Sequence, residues 1–120
     1  MSENKLYSNV LNGIRVTASS TQVLKNLAGD KGKGNGLDGI LVSGNSGPLT
    51  ENTARSNGKN GIEVTGIGHN LSKNTAGGDA QQANTACQFV IGASNLDGGS
   101  NKANGQGFAF GMAGVACVNP

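Results

Sequence analysis

Few side chains in this sequence are equipped for chemistry, and they are scattered. Among 120 residues there are one histidine (His69), two cysteines (Cys87 and Cys117), seven carboxylates and nine Lys or Arg. A lone histidine leaves a multi-histidine metal site or a Ser-His-Asp arrangement without partners, so His69 is read as a solvent-facing turn residue. The string GNGLDG, Gly34 to Gly39, has the spacing of a dinucleotide loop, whose glycines let a pyrophosphate approach a helix N-terminus. Here it runs into ILVSGNSG, a strand and a turn, with no helix to supply the dipole. GDKGKG likewise lacks the Lys-Ser/Thr ending of a phosphate loop. No cofactor and no metal are expected. A net charge of +2 from dispersed basic residues is too weak for phosphate neutralisation, which excludes nucleic acid as the expected partner.

Whether the remaining charged residues act together depends on the elements that carry them. A chain of this length is one domain, 1–120. Its 21 glycines, two prolines and 13% charge fit neither collagen nor a charged disordered chain, so the composition needs a geometric cause. That cause is a repeat. Four blocks of 18 residues align without a gap: NVLNGIRVTASSTQVLKN (Asn9 to Asn26), NGLDGILVSGNSGPLTEN (Asn35 to Asn52), NGKNGIEVTGIGHNLSKN (Asn57 to Asn74) and NTACQFVIGASNLDGGSN (Asn84 to Asn101). Each opens and closes on Asn. The sixth column reads Ile14, Ile40, Ile62, Phe89 and the eighth Val16, Val42, Val64, Ile91, the alternation of a strand. The fifteenth reads Val23, Leu49, Leu71 and fails at Gly98. A fifth, imperfect block begins at Asn104, where Phe108 and Phe110 continue the strand columns. All length variation falls between blocks, as in a solenoid with insertions on one edge. Coils of 20 to 27 residues, rich in Gly and Asn, are too short and too poor in helix formers for helix pairs.

The pattern N-x-x-[N/D]-G-I-x-V followed by L-x-x-N-x-A resembles the right-handed parallel β-helix repeats of the pectate-lyase-like superfamily and related bacterial surface proteins, and it covers residues 5–111. The expected fold is therefore all-β: a right-handed parallel β-helix of about five short coils, 9–34, 35–56, 57–83, 84–103 and 104–111, with a C-terminal cap over 112–120. Stacked coils put Ile14, Ile40, Ile62, Phe89 and Phe108 in one buried column and Val16, Val42, Val64, Ile91 and Phe110 in another. The repeated Asn is expected to donate to the coil on one side and accept from the coil on the other, and to tolerate left-handed backbone. Gly13, Gly39 and Gly61 serve turns of positive φ or a close backbone approach.

On this fold the outward face of the strands carries Arg15, Leu41, Glu63, Val90 and Ala109. One acid and one base two coils apart are not a catalytic constellation, whereas the lyases and hydrolases of the resembled superfamily use acid clusters or paired carboxylates. The long loops LAGDKGKG (Leu27 to Gly34) and TAGGDAQQA (Thr75 to Ala83) emerge on one edge beside Arg55. Lys31, Lys33, Arg55, Asp79, Gln81 and Gln82 then share a polar rim suited to an acidic saccharide, with Arg15 and Glu63 as further binding candidates. The resemblance also implies a Cys87–Cys117 disulfide closing the last coil, with free buried thiols as the alternative.

The expected function is a non-catalytic binding or structural module that associates with polysaccharide or a partner protein; the alternative is a polysaccharide lyase or hydrolase of the pectate-lyase-like type, as a fragment or with a cleft completed by an oligomer. A homodimer is expected through an open N-terminal coil or the outward Leu41 and Val90 face. The sequence as given carries no signal-peptide pattern and no apolar run long enough to span a membrane, so no membrane partner is expected. A disulfide would place it outside the cell or at its surface, free thiols in the cytoplasm.

Overall fold

The computed structural model describes residues 1–79 and 81–120. Every named element is a strand, two to four residues long. The strands line up into three walls of a parallel solenoid. The first wall stacks Ile14–Val16, Ile40–Val42, Ile62–Val64 and Phe89–Ile91, all parallel and in register. The second stacks Val23–Leu24, Gly47–Thr50, His69–Ser72 and Leu96–Gly99. The third stacks Lys5–Leu6, Leu27–Ala28, Thr53–Ala54, Thr75–Ala76 and Lys102–Ala103. The core is the axis they enclose: Ile14, Ile40, Ile62 and Phe89 in one column, Val16, Val42, Val64 and Ile91 in the next, Val23, Leu49 and Leu71 in a third, and Ala28, Ala54, Ala76 and Ala103 in the fourth.

Asparagine lines two corners of the prism. In one corner Asn4, Asn26, Asn52, Asn74 and Asn101 form a continuous ladder, each Nδ2 donating to the next Oδ1 at 2.9–3.1 Å. Asn52 shows the full valence. Its Oδ1 accepts from both nitrogens of Asn26, and its Nδ2 donates forward to Asn74 and back to the Val23 carbonyl. A second ladder runs through Asn9, Asn35, Asn57 and Asn84. Buried amides with every donor and acceptor used stabilise the fold where unpaired ones would be costly. In the first ladder, left-handed backbone falls not on the Asn but on the residue before: Lys25, Glu51, Lys73 and Ser100 have φ of 53°, 57°, 56° and 60°. Gly39 is a close-approach glycine without positive φ, since a Cβ there would stand 2.5 Å from Asn57 Nδ2 and 2.8 Å from the Gly61 carbonyl.

The two ends differ from the sequence expectation. There is no fifth parallel strand around Phe108 and Phe110 among the described residues. The first wall is closed instead by Val115–Val118, antiparallel to Phe89–Ile91, and the third by Gln106–Gly107, antiparallel to Lys102–Ala103. Phe108 still covers the column, its ring 4.7 Å from that of Phe89, but it reaches there as a cap. About four coils result. The last coil is also out of step with a gapless alignment: Asp97, not Gly98, lies beside Leu71, and an irregularity follows. The reason is polar. Asp97 accepts from Asn101 Nδ2 at 3.0 Å and Phe110 N–H at 3.2 Å, which terminates the first ladder. Gln88, in the glycine column, ends the second by accepting from Asn84 Nδ2 at 2.8 Å and donating to Asn119 Oδ1. At the N-terminal end the expected open apolar stacks are covered. Ser2 bridges to Leu24, Lys5–Leu6 pairs with Leu27–Ala28, and Leu6 packs on the core, leaving Ile14 and Val16 only 2% and 5% exposed.

Candidate functional site

The outward face of the first wall carries Arg15, Leu41, Glu63 and Val90 side by side in register. Arg15 is exposed, whereas Leu41, Glu63 and Val90 are half-buried, so the apolar pair forms a lower relief than their outward direction implies. Ala109 is exposed and lies outside the wall, because the fifth strand is absent.

Glu63 is not alone. Lys59 reaches over the turn to its Oε2 at 2.9 Å and to Asp38 Oδ2 at 3.4 Å, and Asn60 Nδ2 donates to Glu63 at 2.7 Å. Asp38 itself is buried in the column Asn12, Asp38, Asn60, where each side chain accepts the backbone N–H of the following coil. That column asks only for an acceptor, which is why a carboxylate fits where the other two ladders demand an amide. Burial pushes the Asp38 carboxyl above its ordinary range, with the charge of Glu63 adding to the rise against the Asn60 N–H and Lys59. Burial would raise Glu63 too, but hydrogen bonds from Lys59 and Asn60 outweigh it and hold that carboxyl low. The Lys59 ammonium is held above its usual range, first by its bond to Glu63. Two neighbouring carboxyls pushed in opposite directions are an acid and base arrangement in chemical type. Sequence reasoning found Glu63 and missed Asp38, Asn60 and Lys59. The available signal was Asp38 standing one coil from Asn60 in the same column, with Lys59 four residues before Glu63.

The loop rim is partly assembled. Arg55 lies 4.0 Å from Asp30 of the first long loop. Its neighbour Ser56 donates to the Gln82 carbonyl at 2.9 Å and through its hydroxyl to that of Gln81 at 3.3 Å, which ties in the second loop. Gln81 N–H is in turn held by Asp79 Oδ1 at 2.9 Å. Lys31 is exposed, and Lys33 sits 6.0 Å from the Tyr7 ring centre. The rim is thus a mixed-charge ridge on the loops that follow the strands of the third wall.

His69 corrects the sequence reading: it is buried, not solvent-facing. Its ring lies against Gly66, where a Cβ would stand 3.0 Å from Nε2, and Nε2 is 2.7 Å from the Gly44 carbonyl and Nδ1 3.1 Å from the Gly47 carbonyl. Cys87 and Cys117 are joined in a disulfide that fastens Val115–Val118 to the last coil. Among the described residues, no His, Cys, Asp and Glu side chains group in a way that would hold a metal ion, and no helix is long and apolar enough to cross a membrane. Compared with family models, curated proteins and solved structures, the chain matches none.

Proposed function

We propose that this parallel β-solenoid, of the pectate-lyase-like type its repeat resembles, is a non-catalytic binding module for an acidic polysaccharide or a partner protein. The observation that supports this most is the register of the first wall. It sets a base, an apolar residue, an acid and a second apolar residue at even spacing on a backbone locked by two amide ladders, a rigid surface suited to contact. The ridge of Lys31, Lys33 and Arg55 adds donors for carboxylates. Self-association through Leu41 and Val90 belongs to the same reading, as does an oxidising compartment for the disulfide.

A second reading, a lyase or hydrolase, is favoured by the Asp38 and Glu63 pair, whose carboxyls are pushed in opposite directions beside a lysine. A panel of acidic and neutral polysaccharides, scored for binding and for release of reducing or unsaturated ends, separates the two. Binding without release supports the module. Release that is lost in Glu63→Gln and Asp38→Asn overturns it in favour of the enzyme.

A further inference from the structure

We infer that the free edge of Ile14–Val16 is a docking site for an extended segment of another protein that sets a carboxylate beside Arg15; the inference rests on the binding-module reading. The backbone shows which groups are offered. In the second coil, Asp38 and Gly39 carbonyls accept from Gly13 and Ile14 N–H at 3.0 and 2.9 Å, and Ser43 N–H donates to Val16 at 2.8 Å. Leu41, in register with Arg15, turns its own N–H and C=O to the same side, as a parallel ladder requires. The equivalent groups of the first coil are the carbonyls of Asn12 and Gly13, both backbone groups of Arg15, and the N–H of Thr17. Ile14–Val16 is the terminal strand of its sheet, so these groups face outward without a strand beside them. The other two walls are continued past the first coil by Ser2 and Lys5–Leu6, and the far end of this same wall is closed by Val115–Val118. The edge is therefore one missing side in an otherwise completed ring.

Strand addition to such an edge draws affinity from main-chain bonds and selectivity from alternate side chains. A segment running parallel in the register used by the coils makes about four backbone hydrogen bonds, to Gly13 C=O, to both groups of Arg15 and to Thr17 N–H. Its middle residue stands outward beside Arg15, and its first and third residues turn toward the axis, onto the half-buried Leu6 that packs over the core. The charge there selects the partner. Arg15 and Lys5 are exposed at this end together with the amino terminus of Met1, against Glu3 alone. A second copy is disfavoured, because two-fold pairing of two Ile14–Val16 strands centres on Arg15 and sets like charges opposite at about 5.5 Å between Cα atoms. Val10 and Leu11, 87% and 64% exposed just before the strand, give the flank of the segment an apolar seat. Leu37 extends that seat into the next coil, its N–H bonded to the Leu11 carbonyl. The fitting partner is an apolar–acidic–apolar strand, a pattern this chain itself uses at Ile62–Val64.

The test uses the full chain labelled with nitrogen-15 and two peptides: the segment 58–66, GKNGIEVTG, and the same peptide carrying Glu63→Lys. The acidic peptide is expected to slow amide exchange at Arg15 and Thr17 and to bind up to about fivefold more tightly than the lysine form. The preference should reverse in Arg15→Glu, an exposed position whose fold is checked by the Ile40 and Ile62 amides. Equal binding of the two peptides, or no protection at Arg15 and Thr17, overturns the inference. So does concentration-dependent protection of that edge without peptide, which would mean self-pairing. Peptide shifts confined to Leu41 and Val90 would sink this edge while leaving the binding module standing, whereas polysaccharide cleavage would sink the module itself.

Discussion

At the level of single residues, the asparagines carry the clearest consequences. Asn52 uses two acceptor and two donor positions on buried partners, and each partner left unmet costs about 1–3 kcal/mol. Asn52→Ala should therefore lower stability by about 3 kcal/mol or more in chemical denaturation. Asn52→Asp, nearly isosteric, should be as harmful at neutral pH, because it aims an oxygen at the Val23 carbonyl and the Asn74 Oδ1; a mutant as stable as the parent would contradict the ladder. Asp38 sits in a column that needs only an acceptor, so Asp38→Asn is the reciprocal case. Its carboxyl is raised by burial, so its contribution to stability is present below the usual aspartate range, about pH 4, and is lost as pH rises through the raised value. Glu63 is lowered, so its contribution is present above the usual glutamate range and lost as pH falls. Asp38→Asn removes the first dependence and also alters the second, because Asp38 is one of the groups that hold Glu63 low. Thermal melts should show the mutant gaining on the parent between about pH 4 and pH 7; a mutant that falls behind at neutral pH would mean Lys59 over-compensates the buried charge.

At the level of elements, the Ile-x-Val strands and their glycines were legible because stacking forces period-two burial and repeats it coil after coil. Gly39→Ala tests that packing: the added methyl meets Asn57 Nδ2, the Ala54 methyl at 2.8 Å and the Gly61 carbonyl, and overpacking of this kind costs about 1–3 kcal/mol. A drop in the denaturation midpoint with an unchanged slope is expected, and a neutral substitution would show that the coils can spread. What stayed illegible depends on contacts between columns. Glu63 was visible as an outward acid, but its union with Asp38 needs the lateral distance between two columns of adjacent coils. His69 was misread because its ring is held by the Gly44 and Gly47 carbonyls of the preceding coil and lies against Gly66, contacts that column position alone does not reveal. Phe108 and Phe110 matched the strand spacing, yet Asp97 drew the Phe110 N–H away and the chain turned back.

At the level of the whole molecule, one end is fastened and the other is not. The disulfide closes a 30-residue separation and holds the antiparallel Val115–Val118 against the last coil. Bridges of this length contribute about 2–4 kcal/mol. Melts with and without reductant should differ accordingly, with the amides of Phe89 and Ile91 exchanging first; equal melts would mean the cap holds by packing alone. Gln88 and Asp97 add a different kind of closure, since each caps an amide ladder with a group from its own coil and leaves no rung for a successor. The protein therefore has a direction of permissible growth. A duplicate of residues 35–56 spliced in after Ser56 keeps every rung in sequence, and because repeat stabilities add between neighbours, it should yield a longer and more heat-resistant rod. The same unit spliced in after Asn101 meets two ladders already spent, and should hang as an unfolded tail.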